Sequence, residues 1–220
     1  MIGDDRLARN QEVPAVIDFE AIILHWGPQA VATLTSPDWG YPDREAIEAV
    51  RTPTDPIRIA VMRDWLQRYR VFLGIEGRKR TNIAAAVLQW ADSPNRPTCL
   101  STADAICAQH ESLREACIAA YGKERNFTSL ASKALWLRYP EDVPLFDSYV
   151  KRTLWVLSKL ESGIVSPDNG ASEYQRFVTV WKAFYDRYKT AWGKIEMKGY
   201  KYPVRAFDVM LWMIGSPGYS

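Results

Sequence analysis

A lysine and an aspartate 14 residues apart, Lys133 and Asp147, are the residues in this chain best placed for chemistry. Each lies in or directly before a segment with helical periodicity, and the turn between them contains Pro140 and Pro144. Proline restricts the residue before it to extended backbone, so the first helix should end at Tyr139. A short turn brings the two side chains close enough for the amine to act as a nucleophile supported by the carboxylate.

An amine attacks only when it is deprotonated, so Lys133 must be desolvated or lie near another cation that lowers its pKa. Its neighbours Ala134 and Trp136 permit burial. The alternative is that Lys133 is an exposed helix residue, and that Asp147 or Ser148 caps the next helix by accepting from its first N–H groups. Asp147 can cap the helix and still support the reaction of the amine, whereas an exposed Lys133 would stay protonated and could not act as the nucleophile.

The elements that must position these residues are helical. Apolar residues recur with a 3.6-residue period over eight segments. We predict helices over residues 18–34, 56–73, 82–90, 102–121, 128–139, 148–160, 171–192 and 204–214. The Pro-rich segment 36–56 predicts a loop with at most one short helix around 44–50. Strand patterns are short and lie beside Pro or Gly.

The predicted fold class is therefore all-α, with about eight helices in one compact or two-lobed domain. A candidate lobe boundary lies at 93–101, SPNRPTCLS, where two prolines separate helical patterns. The hydrophobic content of 47% is enough for a substantial core. Seven tryptophans fall within helical patterns and are expected in that core: Trp26, Trp65, Trp90, Trp136, Trp155, Trp181 and Trp212.

The segment 126–157 around Lys133 and Asp147 resembles the catalytic segment of bacterial 8-oxoguanine DNA glycosylase-like proteins. These belong to the helix-hairpin-helix DNA glycosylase superfamily, whose members act in DNA repair, are all-α and are often two-lobed. The resemblance implies that Lys133 attacks the sugar carbon to expel a damaged base, with Asp147 as its partner. The family's glycine-rich turn, which grips DNA phosphate, corresponds here to residues 120–129, AYGKERNFTS, with the single glycine Gly122.

A second candidate for nucleic-acid binding is the basic segment 187–205. Cations neutralise phosphates and aromatic rings stack on exposed bases, so this composition suits single-stranded or distorted nucleic acid. The alternative is an amphipathic helix end with lysines in water and aromatic residues inward. The predicted nucleic-acid-binding residues are Arg187, Lys189, Trp192, Lys194, Lys198, Lys201 and Arg205. A second basic edge would consist of Arg68, Arg70, Arg78, Lys79 and Arg80 if these residues faced the same way.

The remaining features restrict the function classes. Cys99, Cys107 and Cys117 contain no CxxC pair and are expected to be buried thiols, although Cys107 and His110 have a spacing that two metal ligands could use. No metal or other cofactor is predicted. The acidic N-terminus is unlike a secretory signal, and no apolar run approaches the length of a membrane span, so we expect a cytoplasmic protein without membrane contact.

Two functional hypotheses remain. The first is a nucleic-acid-associated helical protein with DNA as its partner, acting as a DNA N-glycosylase-like base-excision enzyme on a flipped nucleotide. The second is a non-enzymatic all-α interaction module with a protein partner in a defence or regulatory assembly. A small-molecule enzyme that forms a Schiff base through Lys133 is a third option. The sequence leaves the oligomeric state open.

Overall fold

A computed structural model describes residues 18–53, 55–161, 163–164 and 170–218. Within the first of these ranges, only the backbone of residues 39–41 is described. The acidic N-terminal segment lies outside these residues. The described chain is helical without strands, which confirms the all-α prediction. Its helices are α1 (Phe19–Thr35), α2 (Pro37–Arg51), α3 (Arg58–Arg68), α4 (Gly77–Ala91), α5 (Ala103–Tyr121), α6 (Thr128–Arg138), α7 (Ser148–Leu160), α8 (Glu173–Trp192) and α9 (Pro203–Gly215).

Side-chain caps fix where several helices begin. Asp18, Thr102, Asp147 and Ser172 each accept a hydrogen bond from a backbone N–H in the first turn of the helix that follows. Such caps satisfy donors that have no partner within the helix. The predicted starts of α5, α7 and α9 fall within one residue of the observed ones because the caps Thr102 and Asp147 and the proline Pro203 are local signals.

The prediction of a loop over residues 36–56 is wrong for most of that segment, which forms the 15-residue helix α2. Pro37 occupies the first turn, where its missing N–H costs no intrahelical hydrogen bond. Ala46, Ile47 and Val50 then bury one face of α2 in the core. Packing of that face stabilises a helix whose local composition, rich in Pro and Gly, favours a turn.

Two helices, α6 and α9, lie at the centre of the fold. Residues 130–137 of α6 and 204–211 of α9 are buried without interruption. Helix α9 packs on α1 and α7, and α6 packs on α2, α3 and α5. The buried apolar residues form one core to which all nine helices of the described residues contribute. Charged side chains on α6 and α9 are therefore held inside the protein, away from bulk water.

Some predicted core residues lie at the surface instead. Trp155 is 47% exposed, so its assignment to the core is wrong. Cys117 is buried and Cys107 half-buried, but Cys99 is exposed, contrary to the expectation of three buried thiols. The candidate lobe boundary at 93–101 stays a prediction; the helices on either side of it, α4 and α5, pack directly on each other. Among the described helices, none is both long enough and apolar enough to span a bilayer.

Candidate active site

Lys133 and Asp147 line the same cleft, which has a volume of about 460 Å³. The cleft lies between the end of α3, the buried faces of α6 and α9, and the beginning of α7. Its lining combines cations, two carboxyl groups and aromatic rings. The residues are Arg68, Tyr69, Arg70, Lys133, Leu145, Asp147, Tyr149, Val150, Arg205, Asp208, Val209 and Trp212.

Lys133 is 5% exposed, which excludes the alternative of an exposed helix residue. Its Nζ donates hydrogen bonds to Ser129 Oγ at 2.7 Å and to the carbonyl oxygen of Phe146 at 3.1 Å. Burial lowers the pKa of Lys133 to about 8, the charge of Asp147 opposes that shift, and the charge of Arg205 adds to it. About a tenth of the amine is therefore neutral at pH 7, against less than a thousandth for an ordinary lysine.

Asp147 caps α7, as the sequence predicts, and is half-buried at the edge of the cleft. Its Oδ1 accepts a hydrogen bond from Tyr149 N at 2.9 Å. The cap fixes the position of the carboxylate, whose charge raises the pKa of Lys133 and so opposes the effect of burial. Asp147 thus caps α7 and lines the cleft that Lys133 also lines.

The sequence analysis did not identify the second carboxyl group, Asp208 on α9. Asp208 is completely buried, and its two oxygens accept from Trp181 Nε1 and Leu145 N, each at 2.7 Å. Burial raises the pKa of Asp208 to about 7, because the cost of desolvation outweighs these two hydrogen bonds and the attraction of Arg205. An acid within a run of apolar residues, AFDVMLWMIG, is the sequence signal that could have revealed it.

Arg205 is held on the opposite wall by a buried polar network. Its Nη2 donates to Tyr69 Oη at 2.8 Å, and Tyr69 Oη donates to Asp43 Oδ1 at 2.9 Å. Trp65 Nε1 donates to the same Asp43 oxygen, and Arg205 Nε lies 3.6 Å from Asp43 Oδ2. This network fixes the guanidinium within the protein, where its charge helps to lower the pKa of Lys133.

Buried hydrogen bonds also hold the loop between α6 and α7. Phe146 N donates to Ser132 Oγ at 3.1 Å, and Ser129 Oγ donates to the Phe146 carbonyl at 3.3 Å. Leu145 N also donates to Asp208. These bonds hold Leu145 and Phe146 in place, and the carbonyl oxygen of Phe146 is the one that accepts from Lys133 Nζ. The fold therefore holds the amine and the Asp147 carboxylate in fixed positions.

This arrangement supports reactions that need a weakly basic amine beside carboxyl groups. A neutral Lys133 could attack an electrophilic carbon, Asp147 could stabilise positive charge that develops there, and the pKa of Asp208 lies in the range where a carboxyl group exchanges protons near neutral pH. Tyr149 and Trp212, edge to face at 6.4 Å, supply an aromatic wall for a flat ligand.

The structure does not bring the predicted residues of the basic segment 187–205 together on one surface. Trp192 packs in the core edge to face with Phe207, and Arg205 belongs to the Lys133 cleft. Arg187 lies 3.4 Å from the carboxylate of Glu161. The remaining cations, Lys189, Lys194, Lys198 and Lys201, are exposed. The buried position of Trp192 agrees with the alternative interpretation, in which the segment is an amphipathic helix end with its aromatic residues inward.

The second basic edge is divided as well. Arg68 and Arg70 line the Lys133 cleft, whereas Arg80 Nε donates to the carbonyl oxygen of Ile75 at 2.6 Å and Lys79 Nζ donates to that of Tyr121. His110 is buried, stacks on Tyr174 and bonds to the Thr128 carbonyl at 3.0 Å. In the described part of the chain, no group of three or more His, Cys, Asp or Glu residues could hold a metal ion.

Comparisons of the chain with protein-family models, with curated proteins and with solved structures find no match. The residues of the cleft are therefore the basis on which a function can be argued.

Proposed function

We propose that this protein is a nucleic-acid-associated base-excision enzyme of the DNA N-glycosylase-like kind, with Lys133 as its nucleophile. One observation supports the proposal most strongly. A lysine amine, buried and with its pKa lowered to about 8, faces a cleft that it shares with the capping carboxylate of Asp147. Perturbed amines in clefts are frequent at catalytic sites because burial is costly unless the neutral amine is used.

The proposed reaction starts with attack by the Lys133 Nζ lone pair on the sugar C1′ of a flipped nucleotide. The N–C1′ bond forms while the glycosidic C1′–N bond breaks, and the base leaves with that electron pair and takes up a proton. The Asp147 carboxylate stabilises the positive charge on the sugar in the transition state. Loss of the Nζ proton and opening of the sugar ring then give an imine between Lys133 and C1′, which borohydride reduces to a stable amine.

The test is borohydride trapping on oligonucleotides that carry an abasic site or a panel of damaged bases. The wild-type protein should form a covalent adduct, and its yield should rise as the pH increases from 6.5 to 8.5 because the neutral form of Lys133 increases. Lys133→Gln should form none. The matched control is Lys159→Gln, which removes an exposed lysine outside the cleft and should leave the adduct unchanged. Absence of an adduct from the wild-type protein across the panel would contradict the proposal.

A second candidate function, a non-enzymatic module that binds a protein partner, is favoured by the surface of α7. Trp155, Val156 and Leu160 are each about half exposed. Trp155 and Val156 line a groove of about 670 Å³ between α7 and α8. Exposed apolar residues that cluster on one helix are typical of interaction surfaces. Under this hypothesis Lys133→Gln changes only stability, whereas Trp155→Glu removes partner binding without unfolding the protein.

A further inference from the structure

The end of α3 adds two arginines to the mouth of the Lys133 cleft. Arg68 and Arg70 flank Tyr69, line the cleft and are both exposed. Neither guanidinium forms an ion pair with any residue in the described ranges. Their positive charges face the same space as Lys133. The two carboxyl groups of the cleft accept hydrogen bonds from other groups: Asp147 caps α7, and the buried Asp208 accepts from Leu145 N.

The backbone at Arg70 is a second, independent observation. Arg70 N donates to Gln67 O at 3.0 Å and Val71 N donates to Leu66 O at 3.3 Å, which is the Schellman arrangement at the end of a helix. Arg70 has a φ of +54°, in the left-handed region where this motif strongly favours glycine. Residues held in sparsely populated backbone conformations cluster at functional sites. Arg70 therefore stands at the mouth of the cleft at a position where glycine would fit the backbone better.

We propose that Arg68 and Arg70 form a phosphate-binding subsite at the mouth of the cleft, and that the ligand of the cleft is a phosphorylated nucleotide. Guanidinium groups bind phosphate oxygens through paired, charge-assisted hydrogen bonds. Tyr149 and Trp212 provide the aromatic wall for the base or sugar of that nucleotide, within reach of Lys133. The nucleotide part rests on the proposed function, whereas the phosphate subsite rests on the geometry of α3.

The phosphate could belong to a DNA strand or to a free nucleotide, and binding measurements distinguish the two. The probes are a fluorescent single-stranded oligonucleotide with a tetrahydrofuran abasic-site analogue, followed by anisotropy over a salt series, and deoxyguanosine monophosphate, followed by calorimetry. The variant combines Arg68→Gln with Arg70→Asn, because asparagine tolerates the left-handed conformation. The control combines Arg51→Gln with Lys159→Gln, which removes the same charge from exposed positions outside the cleft and outside both predicted basic sets.

The Arg68/Arg70 variant should bind at least one of the two probes about ten-fold more weakly than the wild-type protein. With the oligonucleotide it should also show a salt dependence reduced by about 1.4 in the log–log slope, the value for two phosphate contacts on a single strand. The control variant should stay within about two-fold. Circular dichroism and the unfolding midpoint verify that both variants are folded.

The proposal is overturned if the wild-type protein binds neither probe, or if the Arg68/Arg70 variant and the control bind equally well. Its failure is distinguishable from failure of the proposed function. Binding that depends on the arginines, without any borohydride-trapped adduct, leaves the subsite in place and removes the glycosylase chemistry. An adduct formed equally well by the Arg68/Arg70 variant leaves the chemistry in place and removes the subsite.

Discussion

Burial of the Lys133 amine has opposite effects on reactivity and stability. Desolvation lowers the pKa of Lys133 and so supplies the neutral amine that a nucleophile requires. The same desolvation destabilises the folded state whenever the amine is charged, because the unfolded chain hydrates the charge freely. Hydrogen bonds to Ser129 Oγ and the Phe146 carbonyl offset part of this cost.

Lys133→Met should therefore stabilise the protein at pH 7. A pKa lowered from 10.5 to about 8 corresponds to about 3 kcal/mol. Loss of two hydrogen bonds, each worth about 1 kcal/mol, reduces the expected gain to about 1 kcal/mol. The folded pKa lies below the unfolded one, so the wild-type protein gains stability as the pH rises from 8 to 10.5 and the advantage of the variant disappears.

Urea denaturation between pH 6.5 and 10.5 measures this difference. The matched control is Lys189→Met, an exposed lysine on α8, which should change the free energy of unfolding by less than about 0.5 kcal/mol at every pH. A Lys133→Met variant that is destabilised to the same extent at pH 7 and at pH 10 would show that the amine is not buried in its charged form.

At the scale of the helices, local signals predicted the facing ends of α6 and α7 better than they predicted α2 or the end of α3, which lies at Arg68 and not at residue 73. The beginning of α7 follows from Asp147, and the end of α6 follows from Pro140, so residue types near the boundary are sufficient. Helix α2 depends on burial of Ala46, Ile47 and Val50 against the core, which no local pattern in a Pro-rich segment reveals. That Lys133 and Asp147 line one cleft was predictable because a short turn joins their helices.

Two substitutions at Asp147 separate its capping role from its electrostatic role. Asp147→Ala removes the acceptor of the Tyr149 N–H bond and should cost about 1 kcal/mol of stability. Asp147→Asn keeps a good cap but removes the charge that raises the pKa of Lys133, so that pKa should fall below 8. The pH midpoint of adduct formation should then move to lower pH, with stability within about 0.5 kcal/mol of wild type.

Chemical denaturation and borohydride trapping across pH measure the two effects. Asp18→Ala is the matched control, since Asp18 caps α1 in the same way and lies outside the cleft. It should reproduce the loss of stability without moving the pH midpoint. If Asp147→Asn left the midpoint in place, the carboxylate would have no influence on the Lys133 amine.

At the scale of the whole molecule, the cleft is assembled from segments that are distant in sequence. Arg205 and Tyr69 are 136 residues apart, and Asp208 joins α9 to Trp181 on α8 and to Leu145 in the α6–α7 loop. The positions of Arg205, Asp208 and Arg70 in the Lys133 cleft could not be predicted from spacing, because only tertiary packing brings them there. The sequence signal for Arg205 and Asp208 is that they are charged residues within an otherwise apolar helix, α9.

The ionisation of Asp208 should therefore influence unfolding of the whole protein. Its folded pKa of about 7 lies above the ordinary 3.8, so the folded state holds a proton that the unfolded state releases between these values. The contribution of this group to stability is present below pH 3.8 and is lost as the pH rises to 7. Asp208→Asn cannot ionise, and its free energy of unfolding relative to wild type should rise steadily from pH 4 to pH 7.

Other carboxylates titrate over the same range, so the difference between variant and wild type is the quantity to measure. Denaturation curves at half-unit steps of pH provide it, with Asp186→Asn as the control, since Asp186 is exposed on α8. For the control the difference should stay flat. A flat difference for Asp208→Asn as well would mean that the bonds from Trp181 Nε1 and Leu145 N keep the carboxylate ionised in spite of its burial. Asp208 would then act in the cleft as a fixed negative charge opposite Lys133, and proton exchange would fall to other groups.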